Sequence, residues 1–289
     1  MSQAPWFPHP SLPVRQPGLV PLRPLTISEV LGLSFRMARR HFARLGPLAL
    51  LASLLGSAVV WGVLAATGTI DAYIDASWID AALSGTELSL PPAGISIATL
   101  AQLIVDGTTT VLIAGVAAVY VGQDVLGTSV STQERRARLA GPRLWQLVGV
   151  SVLAGAGIAV GFAFLIVPGL LLMLAWFVVG PALVMERGTP GVALRRSLVL
   201  TRGSWGRLLG LAVALLAIGL VLSILVSSLV APLTASASDL AALLVADLAG
   251  AVVAMVTTSW GAAAMALSYV DLRIRTENFA VTLSAAAGS

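Results

Sequence analysis

From Leu144 to Met185 the chain runs 42 residues without a charged side chain, and Pro168-Gly169 falls just past the middle of that run. As one helix, at about 1.5 Å per residue, it would extend roughly 63 Å, twice the ~30 Å hydrocarbon core of a bilayer. The pattern therefore predicts two antiparallel membrane helices, about 144–166 and 169–186, folded at Pro168-Gly169. Further apolar runs predict spans at about 47–66, 95–121, 208–230 and 240–270. The expected fold is all-α, an integral membrane bundle of six helices in three hairpins occupying residues 26–276.

The polar positions between the spans predict shorter elements. Thr26-Ile27-Ser28-Glu29 is a capping box that starts a helix. On that helix Ile27, Val30, Leu31, Ser34, Phe35, Ala38, Phe42 and Leu45 share one face, while Glu29, Arg36, Arg39, Arg40 and Arg44 share the other. Such a stripe suits either a helix lying on a membrane surface or one packed on the protein itself. Ser131 to Glu134 is a second box, opening an arginine-rich helix before the central hairpin. Thr189-Pro190 supplies an N-cap with proline at the first helical position. The proline-rich first 25 residues predict a disordered arm without a signal peptide, and residues 277–289 a tail.

Composition sharpens this picture. A mean hydropathy of +0.95 with only 10% charged residues belongs to the membrane class. All 17 basic residues are arginine, and they cluster beside apolar spans, which argues against a nucleic-acid partner despite the high isoelectric point. The intervening loops on the other side carry only Asp71, Asp75, Asp80, Glu87 and Asp239. The positive-inside rule then places both termini in the cytoplasm, and the absence of lysine beside heavy Ala, Gly, Val and Leu suggests a bacterial coding bias, hence a bacterial plasma membrane. Elbow arginines Arg39-Arg40, Arg135-Arg136 and Arg195-Arg196 each precede a hairpin, and each hairpin ends in an acid: Asp124, Glu186 and Asp271, the last followed by Arg273. These residues are expected either to pair at the inner interface and meet anionic lipid head groups, or to stand in solvent.

Candidate chemistry is sparse. With no cysteine and with histidine only at His9 and His41, neither thiolate chemistry nor a histidine triad or metal cluster is expected, nor any cofactor. Asp106 lies well inside the second predicted span, because the 15 residues from it to Val121 are too few to cross alone. A charge there opposes insertion by roughly 3 kcal/mol, so Asp106 is expected to face the bundle. It would line a proton or substrate route, or be a buried acid bonded to hydroxyls such as Thr108 to Thr110. Asp247 is expected at the outer surface. Gly157-x-x-x-Gly161, Gly206-x-x-x-Gly210 and the Gly219, Ser223, Ser227 ladder suit close helix packing.

The segments from Pro21 through Arg39-Arg40-His41-Phe42, Val167-Pro168-Gly169-Leu170, Pro181 to Glu186, Ala193 to Ser197, and Asp271-Leu272-Arg273-Ile274-Arg275 together resemble a bacterial family. They are similar to actinobacterial proteins related to the membrane domain of glycerophosphoryl diester phosphodiesterases. The resemblance spans about residues 21–280 and implies that hydrolysis, where it occurs, belongs to a separate metal-dependent barrel with a histidine motif. This sequence shows neither, so the expectation is a non-enzymatic membrane scaffold or lipid-associated partner, with membrane lipids and a protein as partners. The alternative is a transporter or lipid-translocating module using Asp106 and the elbow arginines.

Overall fold

The computed structural model describes residues 20–21, 23–75, 79, 90–126, 141–186 and 188–277. Most of the proline-rich arm, Asp80, Glu87, the 131–134 capping box, Arg135, Arg136 and the tail beyond 277 lie outside the described residues. Among the described residues there are ten helices and no strand. They are α1 (Ile27–Arg40), α2 (Phe42–Thr67), α3 (Ile70–Asp75), α4 (Ala93–Leu126) and α5 (Pro142–Phe164). They continue with α6 (Ile166–Ala175), α7 (Val179–Glu186), α8 (Pro190–Thr201), α9 (Trp205–Thr234) and α10 (Asp239–Glu277).

Among the described residues six segments are long and apolar enough to cross a membrane: α2, α4, α5, α6 with α7, α9 and α10. The chain is a multi-pass membrane protein of the all-α bundle class. No water competes for backbone groups in the bilayer core, so each span must close its own hydrogen bonds as a helix. α4 is the central post, packed against α2, α5, α7 and α10. α9 is the outermost, with only Leu208 and Leu211 buried.

The capping box forms as expected: the Thr26 hydroxyl accepts from Glu29 N–H while the Glu29 carboxylate accepts from Thr26 N–H at 2.8 Å. Val30, Ser34, Met37 and Ala38 are buried, and α1 lies against α10. The Trp260 indole donates to Ser34 Oγ at 3.0 Å and Leu31 O at 3.2 Å. Of the two uses open to the apolar stripe, packing on the protein is the one adopted, and Arg36, Arg39, Arg40 and Arg44 remain exposed.

The central hairpin departs from expectation in two places. The chain turns at Leu165, which is extended (φ −159°, ψ 145°), rather than at Pro168-Gly169. Pro168 sits in the first turn of α6, where a missing N–H costs nothing because that donor has no helical partner anyway. Gly169 instead serves packing: its Cα would lie 2.9 Å from a Cβ at Gly161, so α5 and α6 meet through bare backbone. The returning span is also not one helix but α6 and α7, interrupted at Trp176–Val178. α8 repairs the interruption. Ser197 Oγ donates to Ala175 O at 2.9 Å and accepts from Val178 N–H at 3.3 Å, while Thr201 Oγ1 donates to Ala175 O at 3.4 Å. Both hydroxyl residues are fully buried. A broken helix is tolerated at membrane depth when protein groups satisfy the freed backbone, and α8 supplies them.

Small residues set the remaining close approaches. A Cβ at Gly155 would lie 2.4 Å from Thr108 N and one at Gly180 2.3 Å from Val111 O, so α5 and α7 both press on the α4 backbone. Gly157 accommodates the Trp176 ring, whereas Gly206 faces open space.

Candidate functional site

One end of the bundle carries α1, α8 and the start of α9; at this basic end three buried or half-buried acids are each bound by basic side chains. The first is Asp124, with its side chain 5% exposed. It accepts from Arg40 Nη1 at 3.0 Å and meets His41 Nε2 at 2.9 Å. His41 is the residue at which α1 gives way to α2, so one contact ties that corner to the end of α4. The imidazole stacks on Tyr120, one turn before Asp124, and Arg44 covers the same ring.

Glu186, the last residue of α7, accepts from Arg196 Nε of α8 and from the Tyr269 hydroxyl of α10, both at 2.7 Å. Arg196 also pairs with Glu277, which in turn pairs with Arg273 Nε at 2.9 Å. Arg273 lies over the Tyr269 ring. Three elements of the second and third hairpins therefore share one charge network.

Asp271 is the most buried of the three, with its side chain 0% exposed. One oxygen accepts from the Leu25 amide at 2.7 Å, and the other receives Arg207 Nη1 of α9 and Arg275 Nε at 2.9 Å. Both arginines also donate to Leu25 O at 2.6 Å. The segment before α1 is thus stapled to α9 and α10 through its backbone.

The expectation that every terminal acid meets an elbow arginine holds for Asp124 with Arg40 and for Glu186 with Arg196. It fails for Asp271, whose partners lie at the start of α9 and one turn along α10. The reason is that α10 continues straight through Asp271 to Glu277, so its own Arg275 falls at i+4. Arg39 and Arg195 are not drawn into these nodes. Among the described residues they stand exposed, with Arg36, Arg143 and Arg202, and without an ion pair. Arg135 and Arg136 lie outside the described residues. Spacing alone concealed Tyr269, Arg207 and the Leu25 backbone; only the i, i+4 series Tyr269, Arg273, Glu277 left a trace in the sequence. Outside the spans, the Glu29 carboxyl is held down to about 2 by hydrogen bonds from Arg23 and from the Thr26 backbone.

Asp106 is placed otherwise than expected. Its side chain is exposed rather than packed in the bundle, and its bond is to Gln102 Nε2 at 2.8 Å, not to the hydroxyls of Thr108 to Thr110. The next residue, Gly107, abuts Gly155, so the tight side of α4 faces α5 and Asp106 is turned about 100° away from it. Its depth follows from Gln102, which touches Gly56 on α2. Gly56 is fifteen residues, about 22 Å, along α2 from His41. Asp106, one turn nearer, therefore lies inside a core about 30 Å thick. Asp247 is half-buried and accepts from the Trp61 indole at 2.6 Å, joining α10 to α2. Among the described residues no group of three or more potential metal ligands occurs. No family model, curated protein or solved structure matches the chain.

Proposed function

We propose that this chain is a non-enzymatic protein of the bacterial plasma membrane, with both termini cytoplasmic, that acts as a lipid-associated scaffold. The observation that carries this is the division of labour among the arginines at one end. Arg40, Arg196, Arg207 and Arg275 neutralise buried acids and lock the three hairpins together. Arg36, Arg39, Arg143, Arg195 and Arg202 are exposed beside the same end. An unpaired arginine near an anionic leaflet contributes about 1 kcal/mol, so the rim as a whole gathers acidic head groups around a rigid base. A protein partner would then dock on that base.

The test is the lipid that stays bound when the protein is extracted from native membranes. Anionic phospholipid is expected to be enriched severalfold over the bulk membrane, and Arg39→Gln with Arg195→Gln to reduce the enrichment at least threefold. A bound-lipid composition equal to the bulk refutes the proposal. Orientation is checked with single cysteines at positions 72 and 195, which an impermeant maleimide should label from outside and only after lysis, respectively.

A transport or lipid-translocating role is the alternative, favoured by one observation: Asp106 is exposed within the span rather than sealed in the core.

A further inference from the structure

α4 and α5 touch through bare backbone where a Cβ at Gly107 would lie 2.8 Å from the Gly155 Cα. From that point toward the acidic end the two helices are unequal. α4 runs on for fourteen residues to Ala93, about 21 Å, whereas α5 has nine to Phe164, about 14 Å, before the turn at Leu165. The central hairpin therefore stops about 7 Å short of the α4 terminus. On its other side that end of α4 is covered, with Ile95 and Ala98 packed with Leu64 of α2. On the hairpin side it is not: Ile97 is 52% and Leu103 40% exposed. A pocket of about 490 Å³ occupies this step, walled by Ile97, Leu100 and Leu103 of α4 and by Phe162 and Ala163 of α5. That volume falls within the usual range for small-ligand sites, about 300–1,000 Å³.

The chemistry of the walls decides what fits. Among the described residues no charged side chain lines the pocket, and its two hydroxyls already spend their protons on backbone. Thr99 Oγ1 donates to Ile95 O at 2.9 Å and Ser96 Oγ to Pro91 O at 3.5 Å. A polar ligand would give up its water and find no donor in return, whereas a hydrocarbon chain gives up nothing. Depth says where such a chain comes from. Asp124, paired with exposed Arg40, marks the head-group layer at the basic end. Leu103 and Ser96 lie 21 and 28 residues back along α4, about 32 and 42 Å. A bilayer is about 30 Å thick in hydrocarbon and about 40–45 Å with its head groups. The pocket thus sits where the acyl chains of the far leaflet meet their glycerol.

We propose that this step between α4 and the short α5–α6 hairpin holds one acyl chain of a phospholipid from the leaflet at the acidic end, selected by its chain and not by the charge of its head. The site is separate from the arginine rim at the opposite end and stands or falls without it. Full-length protein carrying p-benzoylphenylalanine in place of Ile97 is reconstituted with phosphatidylcholine or with phosphatidylglycerol. It is then washed in lipid-free detergent micelles and irradiated, and the adduct is counted by mass spectrometry of the intact protein. A control carries the same probe in place of Leu216, 72% exposed on α9. One phospholipid adduct is expected at position 97, at least fivefold above position 216 and equal within threefold for the two lipids. Ala163→Trp, which sets a ring into the pocket from the hairpin tip, should lower the adduct at least threefold. Adducts less than fivefold apart at the two positions, an Ala163→Trp effect below threefold, or a phosphatidylglycerol excess above threefold overturns the proposal. So does cross-linking of position 97 to a second copy or to residues 81–89 in place of lipid, which would mean that protein fills the step.

Discussion

The Asp271 node is where a single atom change should be most expensive. Asp271→Asn keeps the shape, and the amide oxygen can still accept from the Leu25 N–H. The amide nitrogen, however, replaces the oxygen that receives Arg207 and Arg275, so donors face donors. Two charge-assisted hydrogen bonds are lost, each worth about 1.5–3 kcal/mol. The lower figure applies, because the side chains of Arg207 and Arg275 are 19% and 32% exposed and can turn partly to water. The expected loss is about 3 kcal/mol, at the bottom of the range for breaking a buried pair. Reversible unfolding of the purified protein in mixed detergent micelles, followed by tryptophan fluorescence, measures it. Hydrogen exchange at Leu25 should accelerate in step, because that amide is held by the same group. A double-mutant cycle with Arg207→Gln should give a coupling above about 1 kcal/mol. A loss below 0.5 kcal/mol, or strict additivity in the cycle, would refute the view that this node holds α9 and α10 to the start of α1.

Three other outcomes follow from the packing. Ser197→Ala takes away the acceptor of the buried Val178 N–H and leaves Ala175 O with Thr201 Oγ1 alone; the orphaned amide should cost about 1–3 kcal/mol in the same unfolding assay, with Ser197→Thr milder than Ser197→Val. Gly155→Ala sets a methyl 2.4 Å from Thr108 N, a backbone neighbour that cannot swing aside, so about 3 kcal/mol is expected, whereas Gly206→Ala, facing open space, should be neutral or stabilising. The Glu29 carboxyl titrates near 2 in the folded protein, below its ordinary value near 4.5, so its contribution to the start of α1 is complete above pH 4.5 and disappears as the pH falls through 2. Hydrogen exchange at the Thr26 amide, corrected for its intrinsic pH dependence, should show constant protection from pH 7 to 5 and loss only in strong acid, and Glu29→Gln should remove that transition.

Much of the fold was legible because the bilayer is a simple solvent. Apolar runs of twenty or more residues have few alternatives to spanning helices, and the Thr26–Glu29 box and Thr189-Pro190 marked helix starts by local chemistry. The exact turn of the central hairpin was not legible. Pro168 is compatible both with a bend and with a first helical turn, and only the Gly161–Gly169 contact selects the second. The acids at the ends of the hairpins were visible in the pattern, but their partners were not, since Asp271 and Leu25 are 246 residues apart.

The division has a physical cause. Hydropathy, caps and arginine clustering act over one helix length, so the amino-acid sequence by itself determined that this is an all-α membrane protein with six spans and a basic end. Which arginine neutralises which acid, how α8 mends the break after Ala175, and how α4 is turned to leave Asp106 exposed depend on helix rotation and crossing. Those are set by the closest approach of backbones at Gly155, Gly161 and Gly180, distances that exist only once the helices are assembled.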